Sequence, residues 1–220
     1  MSVQIVLGTL NPSKLEEMQS YFAGTEVQSV SPGELTKDHP LIPETASTVR
    51  GNAILKAKAW NRITGLPVIA EDSGLIFLDL PVDHPDQPGQ FVRRLDGRSM
   101  SDEEMLSHYI ELVHRHGGKL RACWSNCWCI LEDEDHGELH ENASVPFYLL
   151  ENPSPNRHNG WPLDSISWLP EVGKYLVDCT EEDMEYRNRK GGYTDTFHLW
   201  ILEAADHLIS GTLPRLPRFE

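Results

Sequence analysis

Apolar positions along the chain follow two rhythms, short unbroken runs and stripes of helical period. Val3 to Leu7 is a short apolar run that reads as a buried strand. Asn11-Pro12-Ser13 then starts a helix: Asn11 or Ser13 can cap it, Glu16 lies three residues after Ser13, and Leu15, Met18 and Phe22 form its apolar stripe. A second helix is predicted from Ala46–Thr48 to about Ile63, with Val49, Ala53, Ala57 and Trp60 facing inward and Gly65 and Pro67 ending it. Pro67 to Ala70 is the next strand; a tight turn at Asp72-Ser73-Gly74 leads to another, Leu75 to Leu80. Residues 81–98, rich in Pro, Gly, Asp and Arg, read as an irregular loop. Ser101-Asp102-Glu103-Glu104 opens a helix that buries Met105, Tyr109, Leu112 and Val113 and closes at Gly117-Gly118. Strands follow near 120–131 and 138–149, then a Pro/Asn/Gly-rich connection over 151–162. A last helix carries Phe197, Trp200, Ile201, Ala204, Ala205 and Leu208, and the Pro-rich tail from Leu213 reads as a loose terminus. Strands alternate with helices first and form hairpins later, which predicts an α/β fold with a mixed sheet.

Composition narrows the function. The 220 residues fit one large or two-lobed domain, and the formal charge is 19 − 34 = −15. So acidic a chain is a poor non-specific nucleic-acid binder, because that role needs a basic surface to displace counterions. A polyanionic small substrate is still compatible, since Mg²⁺ and a few lysines can invert the local field. No apolar run approaches the length of a membrane span, and the N-terminal residues do not read as a signal peptide. Cys123, Cys127 and Cys129 crowd one apolar stretch and Cys179 stands apart. Without paired C-x-x-C spacing they read as buried free thiols, and a reducing cytoplasm follows.

Three segments carry candidate chemistry. Gly8-Thr9-Leu10-Asn11 with Lys14 lies where a strand turns into a helix, and free amides there attract phosphate. Glu44 precedes a helix on which Thr48, Asn52 and Lys56 share one face at i, i+4 and i+8, either a solvated stripe or part of a phosphate–metal site. Glu71-Asp72-Ser73-Gly74 follows the apolar run Val68-Ile69-Ala70. Two carboxylates at the end of a buried strand call for a cationic partner, and such hard oxygens favour Mg²⁺ or Mn²⁺ over zinc. A purely structural turn is the competing reading.

In this order the segments resemble the inosine triphosphate pyrophosphatase family of nucleotide-pool sanitising enzymes, which act on non-standard purine nucleoside triphosphates. The matching residues are Gly8 to Lys14, Glu44-Thr45 through Gly51-Asn52-Ala53-Ile54-Leu55-Lys56-Ala57, and Thr64 to Leu75. A thinner match runs through Pro88-Gly89, Arg94, Gly97, the helix at 101–113, Gly160 to Asp164, and Pro170, Gly173 and Lys174. The resemblance implies a long mixed sheet, two lobes flanking a substrate cleft, and a homodimer. It implies Mg²⁺-dependent hydrolysis to the monophosphate and pyrophosphate. Thr9, Asn11 and Lys14 would grip the triphosphate with Lys56 adding charge, while Asn52, Ser73, Gly74 and Lys174 would line the substrate site. Glu44, Glu71 and Asp72 would organise the metal, and Asp72 would orient or deprotonate the attacking water.

The base-reading segments depart from that family. A Gly-Phe-Gly-aromatic-Asp-Pro stretch is replaced by Gly160-Trp161-Pro162-Leu163-Asp164-Ser165, and Ser-His-Arg aligns with Asn188-Arg189-Lys190. Trp161 can still stack on a base, Asp164 can face its polar edge, and Arg189 or Lys190 can supply donors. Two rivals stand beside this reading: the same chemistry on a particular standard or modified deoxynucleotide, and a nucleotide-binding homologue without catalysis. His114 and His116 read as solvent-exposed polar residues, and Glu132 to Asp135 as a solvated hairpin turn.

Overall fold

A computed structural model describes residues 3–37, 42–95, 97–190 and 196–216. In chain order the elements are β1 (Val3–Leu7), α1 (Pro12–Gln19), β2 (Val27–Val30), α2 (Pro32–Leu35), α3 (Val49–Thr64) and β3 (Val68–Phe77). There follow β4 (Arg94–Leu95), β5 (Arg98–Ser99), α4 (Asp102–Arg115), β6 (Lys119–Leu131), β7 (Gly137–Ala143) and β8 (Phe147–Leu150). A 3₁₀ turn (Pro162–Ser165), β9 (Ser167–Leu169), β10 (Lys174–Tyr175), a second 3₁₀ turn (Leu176–Asp178), α5 (Glu181–Lys190) and α6 (Thr196–Ser210) complete the order. The result is an α/β protein with a long mixed sheet. Among the described residues no helix is long and apolar enough to cross a membrane.

The chain divides into two compact units, one of residues 1–73, 126–142 and 195–220, the other of residues 74–125 and 143–194. In the first unit β1 lies between β2 and β3 and is parallel to both. The stretches 5–7 of β1 and 68–70 of β3 are apolar without interruption because both sheet faces are covered there. Ile5, Leu7 and Ile69 pack with Met18 of α1 and with Ile201, Ala204 and Leu208 of α6. Val6, Val68 and Ala70 pack on the other face against Ala53, Ala57 and Trp60 of α3. In the second unit β8 is antiparallel to the start of β6 and β9 to β8, and their inner face meets Met105, Tyr109, Leu112 and Val113 of α4.

Local signals explain the helix limits. The Asn11 side chain accepts from Ser13 N at 3.0 Å, which resolves the α1 cap in favour of Asn11. Thr48 Oγ1 accepts from Gly51 N at 3.0 Å, and Gly65 takes the left-handed conformation that closes α3. Ser101 and Glu104 form a reciprocal capping box at the start of α4.

Three expectations are corrected. There is no turn at Asp72-Ser73-Gly74: β3 runs straight through them, because each acid meets a cation on its own face and neither has to escape to solvent. The single strand expected over 138–149 is two, since Pro146 has no amide to donate and interrupts the run between β7 and β8. The tail is docked as far as Leu216: Leu213 is buried, Gly137 N donates to Pro214 O at 2.8 Å, and Leu216 N donates to Asp135 O at 2.8 Å. Helix α5 and the short strands β2, β9 and β10 were not foreseen, being too polar or too short to show a period.

The close approach of β6 to the start of β7 explains one glycine. A Cβ on Gly137 would lie 2.4 Å from Ile130 O and 3.2 Å from Leu131 Cα, whereas one on Gly33 would meet nothing within 4 Å. Gly137→Ala should therefore destabilise the protein by about 1–3 kcal/mol. Gly33→Ala should be neutral or stabilise by up to about 1 kcal/mol. Equal midpoints for the two variants in chemical denaturation would contradict this packing.

Candidate active site

Strand alternation decides where the two adjacent acids point. The parity that sets Val68 and Ala70 beneath α3 sets Asp72 there as well, and Glu71 takes the opposite face with Ile69. Asp72 is 6% exposed and Asn52, on α3, 2%. Lys56 Nζ, one turn beyond Asn52, lies 2.6 Å from Asp72 Oδ1 and 2.6 Å from Glu44 Oε1, and donates to the Glu71 carbonyl at 3.2 Å. Asn52 Nδ2 donates to Asp72 Oδ2 at 3.3 Å, while Asn52 Oδ1 accepts from Ala46 N at 3.0 Å. One amide thus ties the Glu44-bearing segment to the buried aspartate. The polar stripe on α3 is not a solvated face: Asn52 and Lys56 are spent on this cluster, and Thr48 caps the helix.

The trio of Lys56, Glu44 and Asp72 carries one negative charge in excess. Burial raises the Asp72 pKa above the ordinary aspartate range, and the adjacent Lys56 only partly offsets it. Burial works to lower the Lys56 pKa, but Asp72 and Glu44 together outweigh it and hold the ammonium charged.

On the other face Glu71 Oε1 accepts from Ser73 Oγ at 2.6 Å, and Oε2 lies 3.4 Å from Lys14 Nζ. That Oε2 is buried without a hydrogen-bond partner. Thr9 and Asn11 shape the β1–α1 turn: Gly8 N donates to Ile69 O at 2.7 Å, and Asn11 N donates to Thr9 Oγ1 at 3.2 Å. Gly74 continues β3 as the first residue of the second unit. Glu44 and Asp72 are therefore brought together through Lys56, and Glu71 is held apart with Lys14. Among the described residues these three carboxylates do not converge within 4.8 Å of one another.

The residues expected at the base lie in the second unit. Trp161 is half-buried just before the 3₁₀ turn. Asp164 Oδ2 lies 3.0 Å from His158 Nδ1, a partner the sequence motifs did not name. Lys174 is ion-paired with Asp183 at 2.7 Å. Arg189 and Lys190 are exposed at the end of α5, with Lys190 over the Tyr186 ring, and the buried arginine of that helix is Arg187, which donates to Val145 O. Sequence spacing could not separate Arg187 from Arg189, because the motif match was loose and α5 has a weak apolar stripe. Three of the four cysteines are buried free thiols, as expected. Burial pushes the Cys127 thiol up to about 12, so it stays protonated and inert at neutral pH.

Burial also raises the Asp164 pKa, with the His158 hydrogen bond opposing it. A carboxyl whose folded pKa lies above its unfolded value contributes most below the unfolded pKa and loses that contribution as pH rises through the folded one. The stability of the wild type relative to Asp164→Asn should therefore fall as pH rises from about 3.9, the unfolded aspartate value, and then level off. Urea denaturation between pH 4 and 7 reads this directly. A gap that widens in favour of the wild type as pH rises would refute it.

Residues 5–189 match the Ham1 family. A dITP/XTP pyrophosphatase of Pectobacterium atrosepticum is 31% identical over 190 residues, covering 86% of this chain and 92% of that protein. One from Coxiella burnetii is 27% identical over 208 residues, covering 92% and 98%. The solved structure of a HAM1 protein from Coxiella burnetii superposes with a TM-score of 0.72 at 25% identity, over 92% of this chain and 100% of that one. The Staphylococcus aureus Ham1 protein has the same fold, with a TM-score of 0.69 at 22% identity over 91% and 98% of the two chains. Fold, motif order and relatives agree, and the chain belongs to the Ham1 family.

Proposed function

We propose that this protein hydrolyses non-standard purine nucleoside triphosphates, of the dITP, ITP and XTP kind, to the monophosphate and pyrophosphate in a Mg²⁺-dependent reaction. The observation that carries the reading is the half-buried Lys56 bridging Glu44 and the buried Asp72. An ammonium drawn partly out of water between two carboxylates is costly to assemble and contributes little to stability for its own sake. The relatives' names, dITP/XTP pyrophosphatase, supply the substrate class.

The donor set fits a hard divalent cation. Glu44 and Asp72 offer oxygens that a cationic group, Lys56, already bridges, and Mg²⁺ sites commonly use one or two carboxylates plus phosphate oxygens and water. Bound there, Mg²⁺ would offset charge on the phosphate oxygens; Mn²⁺ meets the same donors. Asp72, raised in pKa by burial yet facing Lys56, is the carboxylate suited to accept a proton from water. Lys56 would offset charge building at the α-phosphate and the leaving pyrophosphate. The Thr9–Asn11 turn and Lys14, steadied by Glu71, would hold the triphosphate at the start of α1. Trp161 would stack on the base and Asp164 with His158 would face its polar edge. The exposed Arg189 and Lys190 remain candidate donors to a keto oxygen. The buried thiols fit a reducing cytoplasm, and a homodimer belongs to the same reading.

The different base segments favour a second reading, the same chemistry on another deoxynucleotide. Values of kcat/KM for the inosine, xanthosine, guanosine and adenosine triphosphates, ribo and deoxy, separate the two. A keto-purine preference supports the first reading, and an adenine or pyrimidine preference the second.

Two outcomes test the site. Asp72→Asn should lower kcat by about 10²–10⁴-fold with the fold intact; a folded variant with most of its activity at saturating Mg²⁺ would remove Asp72 from the chemistry. Glu44→Gln should shift the Mg²⁺ titration to higher concentration, whereas Lys56→Ala should stay impaired at saturating Mg²⁺. Identical metal titrations for wild type and Glu44→Gln would exclude Glu44 as a ligand.

A further inference from the structure

A second set of metal-ligating side chains lies in the second unit, in residues the proposed chemistry does not use. His84 and Asp86 stand two residues apart in the Pro-rich loop after β3, and His116 caps the C-terminal end of α4. All three are half-buried, and their ligand atoms lie within 4.8 Å of one another. Among the described residues no other group of three does so. His116 Nε2 is 2.8 Å from Asp86 Oδ2, and the two imidazoles meet edge to face with centroids 5.5 Å apart. The Asp86 amide donates to His84 Nδ1 at 3.1 Å, which sets the loop so that ring and carboxylate stay close.

We infer that His84, Asp86 and His116 bind a borderline divalent cation of the Zn²⁺ class, which staples the loop after β3 to the end of α4. The donor types set this site apart from the carboxylates. Two imidazoles and one carboxylate suit zinc and its neighbours, while Mg²⁺ prefers oxygen throughout. The distances are close to what is needed: bonds of about 2.0–2.2 Å in a tetrahedron put ligand atoms about 3.3–3.6 Å apart. From within 4.8 Å, side-chain rotations on a loop close the difference. Water would complete the coordination. Arg115 Nη2, 3.3 Å from Asp86 Oδ1, takes the outer oxygen and leaves Oδ2 turned toward the imidazoles.

A metal-free reading also exists, an ion pair of Asp86 with His116 and Arg115 that ties loop to helix. That pairing rests on His116 and Arg115, and His84 adds to it only by accepting the Asp86 amide and by its edge contact with the His116 ring. Metal binding requires all three, so the two readings differ at His84.

The test uses the full untagged chain, stripped with EDTA and dialysed. Zn²⁺ and Mg²⁺ are titrated separately by calorimetry and thermal unfolding, and Co²⁺ is added as a spectroscopic probe. Wild type should bind Zn²⁺ at this site, gain thermal stability from it, and give the visible absorption of tetrahedral Co²⁺. His84→Ala and His116→Gln should each weaken that Zn²⁺ binding by about 100-fold or more and abolish the absorption. Both should keep Mg²⁺-supported triphosphate turnover. His84→Ala touches no helix cap and removes only the bond from the Asp86 amide and the ring contact with His116. Without metal it should therefore still unfold in one cooperative transition, at or a little below the wild-type midpoint, and separate loss of binding from loss of fold. A wild type without Zn²⁺ affinity overturns the inference. So do variants whose Zn²⁺ affinity and Co²⁺ spectrum match those of wild type.

Discussion

The alternation of side chains along β3 is the constraint on which the candidate site depends. Because the strand continues extended through Glu71, Asp72 and Ser73, neighbouring residues face opposite sides of the sheet. Asp72 is thereby committed to α3 and to Lys56, and Glu71 to Lys14. A turn at this point would have sent both acids to solvent, leaving Lys14 without Glu71 and Lys56 with Glu44 alone. The straight strand turns one acidic dipeptide into two separate electrostatic groups, one to each face. A one-residue slip of β3 against β1 would exchange them, and the flanking Val6↔Val68 and Leu7↔Ile69 register prevents it.

Burying Asp72 and drawing Lys56 and Glu44 partly out of water is unfavourable unless each is satisfied, and the satisfaction here is nearly complete. Lys56 Nζ makes three contacts, to Glu44, Asp72 and the Glu71 carbonyl; both Asp72 oxygens are engaged. The exception is Glu71 Oε2, buried with only a distant lysine. An acceptor left short in this way stabilises the fold less than it could, and it keeps capacity for something cationic or for a donor brought by substrate. Ala53, Ala57 and Trp60 anchor α3 in the core, so Lys56 projects from a packed helix rather than from a loop.

Much of this was legible because the signals were local. Asn11, Thr48 and Ser101 cap helices by bonds spanning two or three residues, so the sequence window contains the whole interaction. The pairing of Asn52 and Lys56 with the acids was legible as a motif, but its geometry was not. Gly74 beside an Asp-Ser pair looks like a turn until the cations on either face are known. The tail misled for a related reason. Pro214 cannot donate, yet its carbonyl accepts from Gly137, a contact 77 positions away that no short window holds.

The base side shows where such reading runs out. Alignment assigned donors by position in a loosely matching segment, and the structure assigns contacts by backbone conformation instead. Gly160 at φ 81 is the left-handed residue in the bend that brings His158 back onto Asp164, six positions on. The Gly160 amide is meanwhile held by Asp102 at the start of α4, with Arg93 on its carbonyl. The orientation of Asp164 therefore depends on an arginine and an aspartate remote in sequence, neither with any cause to touch a base. The histidine beside Asp164 comes from its own loop, His158, and not from the Asn188-Arg189-Lys190 segment. If Asp164 reads the base, as proposed, base preference would depend on how rigidly that loop is held as much as on which side chains it carries, and position-by-position comparison of motifs does not register that clamp.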